Sequence, residues 1–168
     1  VYHLAGVNRP PDEAEFMRGN FGFTTVLLEI LKKNNNRSPI LMTSSVQAAL
    51  DNPYGKSKKA GEDHLFSYGQ EYDVRVLIYR LPNLFGKWCR PNYNSVTATF
   101  CHNIARNLPV TIHDPQTLLR LCYIDDVAAE FIRALDGQAD CGSDGFCHVA
   151  KVYEIRLGEL AEKLRAFA

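Results

Sequence analysis

Pro39-Ile40-Leu41-Met42-Thr43-Ser44-Ser45 is followed a few residues later by Asp51-Asn52-Pro53-Tyr54-Gly55-Lys56-Ser57-Lys58-Lys59-Ala60-Gly61-Glu62. The first stretch is a short apolar run that ends in hydroxyls, the pattern of a strand buried on both faces of a parallel sheet. The second reads as a helix start. Asp51 or Asn52 caps the first turn through a side-chain oxygen. Pro53 suits the first helical position, where its missing N–H costs nothing. Tyr54 then lies in the first turn, with Lys58 four residues on along the same face. Free tyrosine has a pKa of about 10. A neighbouring ammonium and the positive end of the helix dipole both favour phenolate, so the sequence predicts a lowered value and a proton exchanged with a substrate oxygen. Hydroxyls at the carboxyl end of a parallel strand face the crevice where α/β sheets bind ligands. The bland alternatives are a surface helix with solvated lysines and serines that only turn the chain.

Outward from this stretch, strands alternate with helices. Val1–Gly6 reads as a buried strand already under way, and Asn8–Asp12 as a loop with Asp12 as a cap. Phe16, Phe23, Val26, Leu27, Ile30 and Leu31 recur at helical spacing and mark a long helix, with Asn20 inside it. Val46–Leu50 reads as a loop, and the helix from Pro53 runs to about Gln70. Arg75–Arg80 is the third strand, opening at Leu81–Gly86 into a loop over 87–94. A helix is expected from about Ser95 to Asn107, a short strand at Val110–Ile112 and another at Leu121–Ile124. Asp125 is expected to cap a helix with Val127, Phe131, Ile132 and Leu135 inward. A strand at Phe146–Val149 and a last helix through Leu160, Leu164 and Phe167 follow. The alternation predicts an α/β fold with a mostly parallel sheet.

The 168 residues suffice for one domain with a real core. With 46% hydrophobic and 23% charged residues the chain is globular, and no apolar run approaches membrane-spanning length. Zero formal net charge argues against a nucleic-acid or anionic-membrane surface. The five cysteines, Cys89, Cys101, Cys122, Cys141 and Cys147, include no C-x-x-C pair, so free thiols and a cytoplasmic setting are expected. Cys141, Cys147 and His148 lack the paired four-ligand spacing of structural zinc, and no metal is expected.

Several segments together resemble the extended short-chain dehydrogenase/reductases that modify nucleotide sugars. They are His3-Leu4-Ala5-Gly6, Asn20 followed by Gly22, Leu27 and Leu28, and Thr43-Ser44-Ser45. Tyr54-x-x-x-Lys58, Arg80-x-x-Asn83-x-x-Gly86 and Tyr123-Ile124-Asp125-Asp126-Val127 complete the set, in order and across nearly the whole chain. Asn52–Glu62 and Asn83–Ser95 resemble the capsular-polysaccharide and O-antigen branch, in which such a domain precedes a cupin domain. The nine residues from Ser45 to Tyr54 are fewer than most extended members have and favour that branch. Leu119, beside Arg120, stands where the family commonly has an arginine.

The resemblance implies a Rossmann-like, doubly wound parallel sheet. Residues 1–168 would be the C-terminal portion of that domain, without its N-terminal strands, its glycine-rich phosphate turn or the cupin domain. Such a fragment is expected to bind cofactor poorly and turn over little. The implied catalytic residues are Tyr54 as proton donor, Ser45 on the substrate oxygen, Lys58 beside the tyrosine, and Asn20 holding a water to Lys58. Leu4, Ala5, Gly6 and Pro82, with Tyr54 and Lys58, would line NADP(H), NAD(H) remaining open. Asn83, Asn94, Ser95 and Arg90 would face a UDP-sugar. The implied activity is reduction of a UDP-linked 4-keto-6-deoxy amino sugar by a homodimer of the full-length protein. The alternatives are an NAD-dependent nucleotide-sugar 4-epimerase and a non-catalytic remnant that keeps the fold. Dehydratases usually place an Asp-Glu pair after the Ser/Thr, whereas Val46-Gln47 follow Ser45 here.

Overall fold

The computed structural model describes residues 1–168. The chain divides into two compact units, Val1–Leu81 with Ala139–His148, and Pro82–Gln138 with Val149–Ala168.

The first unit is built on strands β1 (Tyr2–His3), β2 (Ile40–Ser45) and β3 (Val76–Leu81), in the order β1-β2-β3 and all parallel. Parallel neighbours require crossovers. The first crossover is α1 (Ala14–Phe16), a π-helical turn (Met17–Gly22) and α2 (Phe23–Lys33); the second is a 3₁₀ turn (Val46–Ala49) and α3 (Pro53–Tyr72). The β2 residues are buried on both faces, as the apolar run predicts. Leu28 and Leu31 from α2, Ile40, Met42 and Ile78 from the sheet, and Leu65 and Tyr68 from α3 form one core cluster. Asn52, rather than Asp51, caps α3: its Oδ1 accepts from Gly55 N at 2.8 Å, and Pro53 takes the first helical position. Asp51 instead pairs with Lys56 at 2.6 Å.

The second unit holds β4 (Asn83–Phe85), parallel to β5 (Leu118–Tyr123), with β6 (Tyr153–Arg156) antiparallel on β5's other side. Helices α4 (Val96–Ile104), α5 (Ile124–Leu135) and α6 (Leu157–Ala166) complete it. Phe100, Leu160 and Ala161 centre its core cluster.

Several expectations are corrected. Val110–Ile112 is no strand; Val110 and Ile112 pack against the Phe100–Leu160 cluster instead. Phe146–Val149 is reduced to bridges of Cys147 with Tyr79 and Cys141. Leu81–Gly86 is no simple strand end, because Asn83–Phe85 pairs in the second sheet. Along α2 the residues at helical spacing divide: Leu31 is buried together with Thr24 and Leu28, while Phe23, Val26 and Ile30 are 45%, 50% and 53% exposed. Ile132 and Leu135 are likewise exposed, while α5 buries Val127, Glu130 and Ala134. Asp125 does not cap α5; it lies in the first turn and pairs with Lys87 at 2.6 Å. Cys141 and Cys147 are joined in a disulfide, since the antiparallel bridge between them brings the two side chains together; Cys89, Cys101 and Cys122 are free.

Candidate active site

Ser45 and Tyr54 meet because the chain between them is folded tightly. Ser45 ends β2 and caps the 3₁₀ turn, its Oγ accepting from Gln47 N at 3.2 Å. That turn backs directly onto the start of α3. A Cβ on Gly55 would lie 2.2 Å from Gln47 O and 2.6 Å from Leu50 O, so only glycine permits this approach. The Tyr54 phenol lies close enough to Ser45 for the serine hydroxyl to pull its value down. Phe16 sets its edge against the Tyr54 ring at 5.6 Å.

Lys58 is buried one turn further along α3, and its Nζ donates to Thr43 O at 2.8 Å. Burial lowers the ammonium to about 8, with Glu62 acting in the opposite direction. Burial also raises Tyr54 above the ordinary tyrosine value, against the pull of the Ser45 hydroxyl. This corrects the lowered value expected from the sequence. The phenol is enclosed, and removal from water disfavours phenolate more than the serine hydroxyl favours it.

Asn20, 2% exposed, lies inside the π-helical turn, a local widening that recurs at functional sites. Its Oδ1 accepts from Val7 N at 2.8 Å, and its Nδ2 donates to Val7 O at 3.1 Å and Ser57 Oγ at 2.9 Å. Ser57 Oγ in turn donates to Tyr54 O at 2.7 Å. Both amide protons are therefore spent on protein partners, which ties the Gly6–Val7 segment to the start of α3. One lone pair of Oδ1 remains for a further donor. On the other side, Thr24 Oγ1 donates to Asn20 O at 2.7 Å and lies 2.8 Å from His3 Nε2. Because the Thr24 proton points to Asn20, His3 carries its own on Nε2. Burial and the Lys58 charge hold that imidazole below its usual value.

Leu4, Ala5 and Gly6 follow β1 and are exposed. A Cβ on Gly6 would meet Asn20 Oδ1 at 3.0 Å and Lys58 Nζ at 3.6 Å, so glycine keeps the approach to Lys58 open. Ala5, Gly6, Val7, Gly19, Phe23 and Val26 line a groove of about 790 Å³ there. This largely apolar groove, with Glu15 and Arg18 also on its lining, can take an organic ring.

The first unit thus gathers Ser45, Tyr54, Lys58, Asn20 and Gly6. The second contains Pro82, Asn83, Arg90, Asn94 and Ser95. Asn83 opens β4, and Ser95 Oγ caps α4 by accepting from Ala98 N at 3.3 Å. Asn94 precedes that cap, and the Arg90 guanidinium lies 5.6 Å from the Tyr93 ring centre. Arg120, beside the departure at Leu119, pairs with Glu154 at 3.2 Å. Among residues that sequence reasoning missed, Ser57 and Glu62 are fully buried. Their signal was position: Ser57 adjoins Lys58, and Glu62 follows it by one turn.

A UDP-2-acetamido-2,6-beta-L-arabino-hexul-4-ose reductase of Pseudomonas aeruginosa is 47% identical over 167 residues, covering 99% of this chain and 44% of its own length. UDP-glucuronate 4-epimerase 1 of Arabidopsis thaliana is 28% identical, covering 92% of this chain and 42% of its own. The crystal structure of the capsular polysaccharide assembling protein CapF from Staphylococcus aureus matches with a TM-score of 0.82 at 47% identity, covering 86% of this chain and 40% of that one. A UDP-glucose 4-epimerase of Thermotoga maritima, at 20% identity and TM-score 0.84, shares the fold. The chain spans less than half the length of these curated relatives. The model of the family described as NAD dependent epimerase/dehydratase matches residues 1–145, and the chain belongs to that family.

Proposed function

We propose that the protein carrying this chain reduces the 4-keto group of a UDP-linked 6-deoxy amino sugar with NADPH, in the synthesis of capsular polysaccharide or O-antigen precursors. The observation that carries this reading is the Ser45–Tyr54–Lys58 cluster at the carboxyl end of β2, beside the groove at Gly6. The 47% identity to a reductase whose name states such a substrate supports the choice of sugar. A UDP-sugar substrate, a homodimer of the full-length protein and a cytoplasmic setting belong to the same reading. No helix is long and apolar enough to cross a membrane.

A nicotinamide, when bound, would supply the hydride. Leu4, Ala5, Gly6, Pro82, Tyr54 and Lys58 would hold it. The chain's own residues handle the proton and the charge. Reduction of a ketone develops negative charge on its oxygen, and the Tyr54 hydroxyl donates the proton to that oxygen. Ser45 hydrogen-bonds the same oxygen and orients it, an interaction that strengthens as the charge grows. Lys58, fixed on Thr43 O, keeps a positive charge near the phenol and offers its remaining protons to ribose hydroxyls. Asn20 keeps the Gly6–Val7 segment seated, with one Oδ1 lone pair left for a water leading to Lys58. Asn83, Asn94, Ser95 and Arg90 are assigned to the nucleotide diphosphate.

Tyr54→Phe in the full-length protein tests the assignment. It removes the acidic proton while retaining the ring against Phe16. Reduction of the keto sugar should fall by about 10²–10⁴-fold, while NADPH binding, followed by fluorescence, stays within a few-fold of the parent. Unchanged turnover refutes the role of Tyr54. Sugar epimerisation with no net loss of NADPH favours the 4-epimerase reading instead.

A further inference from the structure

We propose that Glu62 is a positioning residue for the Ser45–Tyr54–Lys58 centre: its buried carboxylate ties the carboxyl ends of β2 and β3 to the helix that carries Tyr54 and Lys58. The proposal deepens the function proposed above and rests on it for the assignment of that centre.

Glu62 is fully buried in α3. Arg80 grips it with Nη2 to Oε2 at 2.6 Å and Nε to Oε1 and Oε2 at 3.0 and 3.2 Å. Ser44 Oγ donates to Oε1 from the neighbouring strand. Ser44 and Arg80 are register partners, so one carboxylate spans both strands at their penultimate residues. The next residues are Ser45 and Leu81. Lys58 holds Thr43 O, so two side chains one helical turn apart fix Thr43 and Ser44 immediately before Ser45. The Phe146 ring covers the Arg80 guanidinium at 3.8 Å.

A tie between strand and helix needs no charge for stability. Burying an ion pair costs about as much as its attraction returns, and well-packed apolar groups serve as well or better. An ion pair brings two other things, a fixed geometry and a field. The charged and titratable groups coupled to Lys58 are Glu62 on α3 and His3 on β1, with Arg80 on β3 bound to Glu62. Among these, Glu62 supplies the negative charge, and it raises the Lys58 value that burial depresses. Glu62 thus favours the charged form of Lys58 while holding the backbone of the Ser45 strand end.

The test is a titration of Lys58 in the full-length protein with ¹³Cε-labelled lysine, its signal assigned by its loss in Lys58→Arg. In the parent the signal should titrate at about pH 8. Glu62→Gln removes the anion and leaves Arg80 positive, so the titration should move to lower pH. Arg80→Gln leaves the anion bare, so the titration should move to higher pH. Glu62→Asp keeps the charge and should fall between the parent and Glu62→Gln. Opposite movements in the first two variants are the signature that a merely structural tie does not give. A Lys58 signal that titrates at the same pH in the parent and these variants overturns the proposal. If Glu62→Gln does not fold, the upward movement in Arg80→Gln decides by itself. This readout needs no turnover, so its failure is distinct from failure of the reductase reading. Where reduction is measured, Glu62→Gln should lower kcat by roughly 10- to 100-fold, with KM little changed.

Discussion

Lys58 makes folding stability depend on pH in a way that Lys58→Met removes. The ordinary lysine value of 10.5 falls to about 8 in the folded chain, chiefly through burial. Between these values the unfolded chain binds more protons than the folded one, so stability rises with pH there. Below about pH 8 the group is charged in both states and the full cost of burying it applies. The gap, at about 1.36 kcal/mol per pH unit, amounts to about 3 kcal/mol. Lys58→Met also loses the bond to Thr43 O, so its absolute stability mixes two effects of opposite sign. The difference between parent and variant, followed with pH, isolates the ionisation. From about pH 7.5 to about pH 10 the parent should gain roughly 2 kcal/mol on the variant, the part of the gap titrated over that range. Urea unfolding of both proteins at several pH values measures this. A difference independent of pH, or one that moves against the parent as pH rises, refutes the argument.

Gly55→Ala should destabilise the protein by about 1–3 kcal/mol, because the new Cβ meets two backbone oxygens that have no room to retreat. Gly22→Ala is the control. There the nearest atom is Met17 O at 3.6 Å, and the gain in helix propensity should stabilise by up to about 1 kcal/mol. Unfolding midpoints that do not separate in this direction count against the packing described at the 3₁₀ turn. Asn20→Ala should cost about 2–4 kcal/mol, since it leaves the Val7 backbone and Ser57 unpaired, and hydrogen exchange at Val7 N should speed up with it. Alkylation of the unfolded, unreduced chain should modify three cysteines, rising to five after reduction; five without reduction excludes the Cys141–Cys147 bond.

The centre at Tyr54 was legible because its signals are local. A proline at the first helical position, a cap before it and a lysine one turn on are read from adjacent residues, and hydroxyls ending an apolar run mark the strand end beside them. The network behind it was not legible. Glu62 is 18 residues from both Ser44 and Arg80, and nothing in the sequence pairs them. Periodicity gave α2 its helix but not the exposure of Phe23, Val26 and Ile30, because spacing says which residues share a face and not what covers it. Val110 and Ile112 alternate like a strand, yet helix side chains rather than a partner strand cover them. Strand β6 escaped because Tyr153–Arg156 offers only four residues of alternation, two of them charged. The lowered Tyr54 value expected from Lys58 and the helix dipole failed because burial, a tertiary quantity, raises it instead.

The features that lower stability in the first unit converge on one place. Lys58 is buried below its ordinary value, His3 is kept neutral next to it, and the π-helical turn at Asn20 interrupts a regular helix. Each is compensated locally by a named bond: Lys58 to Thr43 O, His3 to Thr24 Oγ1, and Asn20 to Val7 and Ser57. The compensation runs in series from β1 through the π-helical turn to the first turns of α3 and ends at Tyr54 O. A chain selected for stability alone has cheaper choices at these positions, an apolar residue for Lys58 above all. The arrangement is explained by the state it maintains, an ammonium whose value lies near neutrality beside a phenol that retains its proton. Under the proposed function, those are the protonation states that proton delivery from Tyr54 to a sugar oxygen would use.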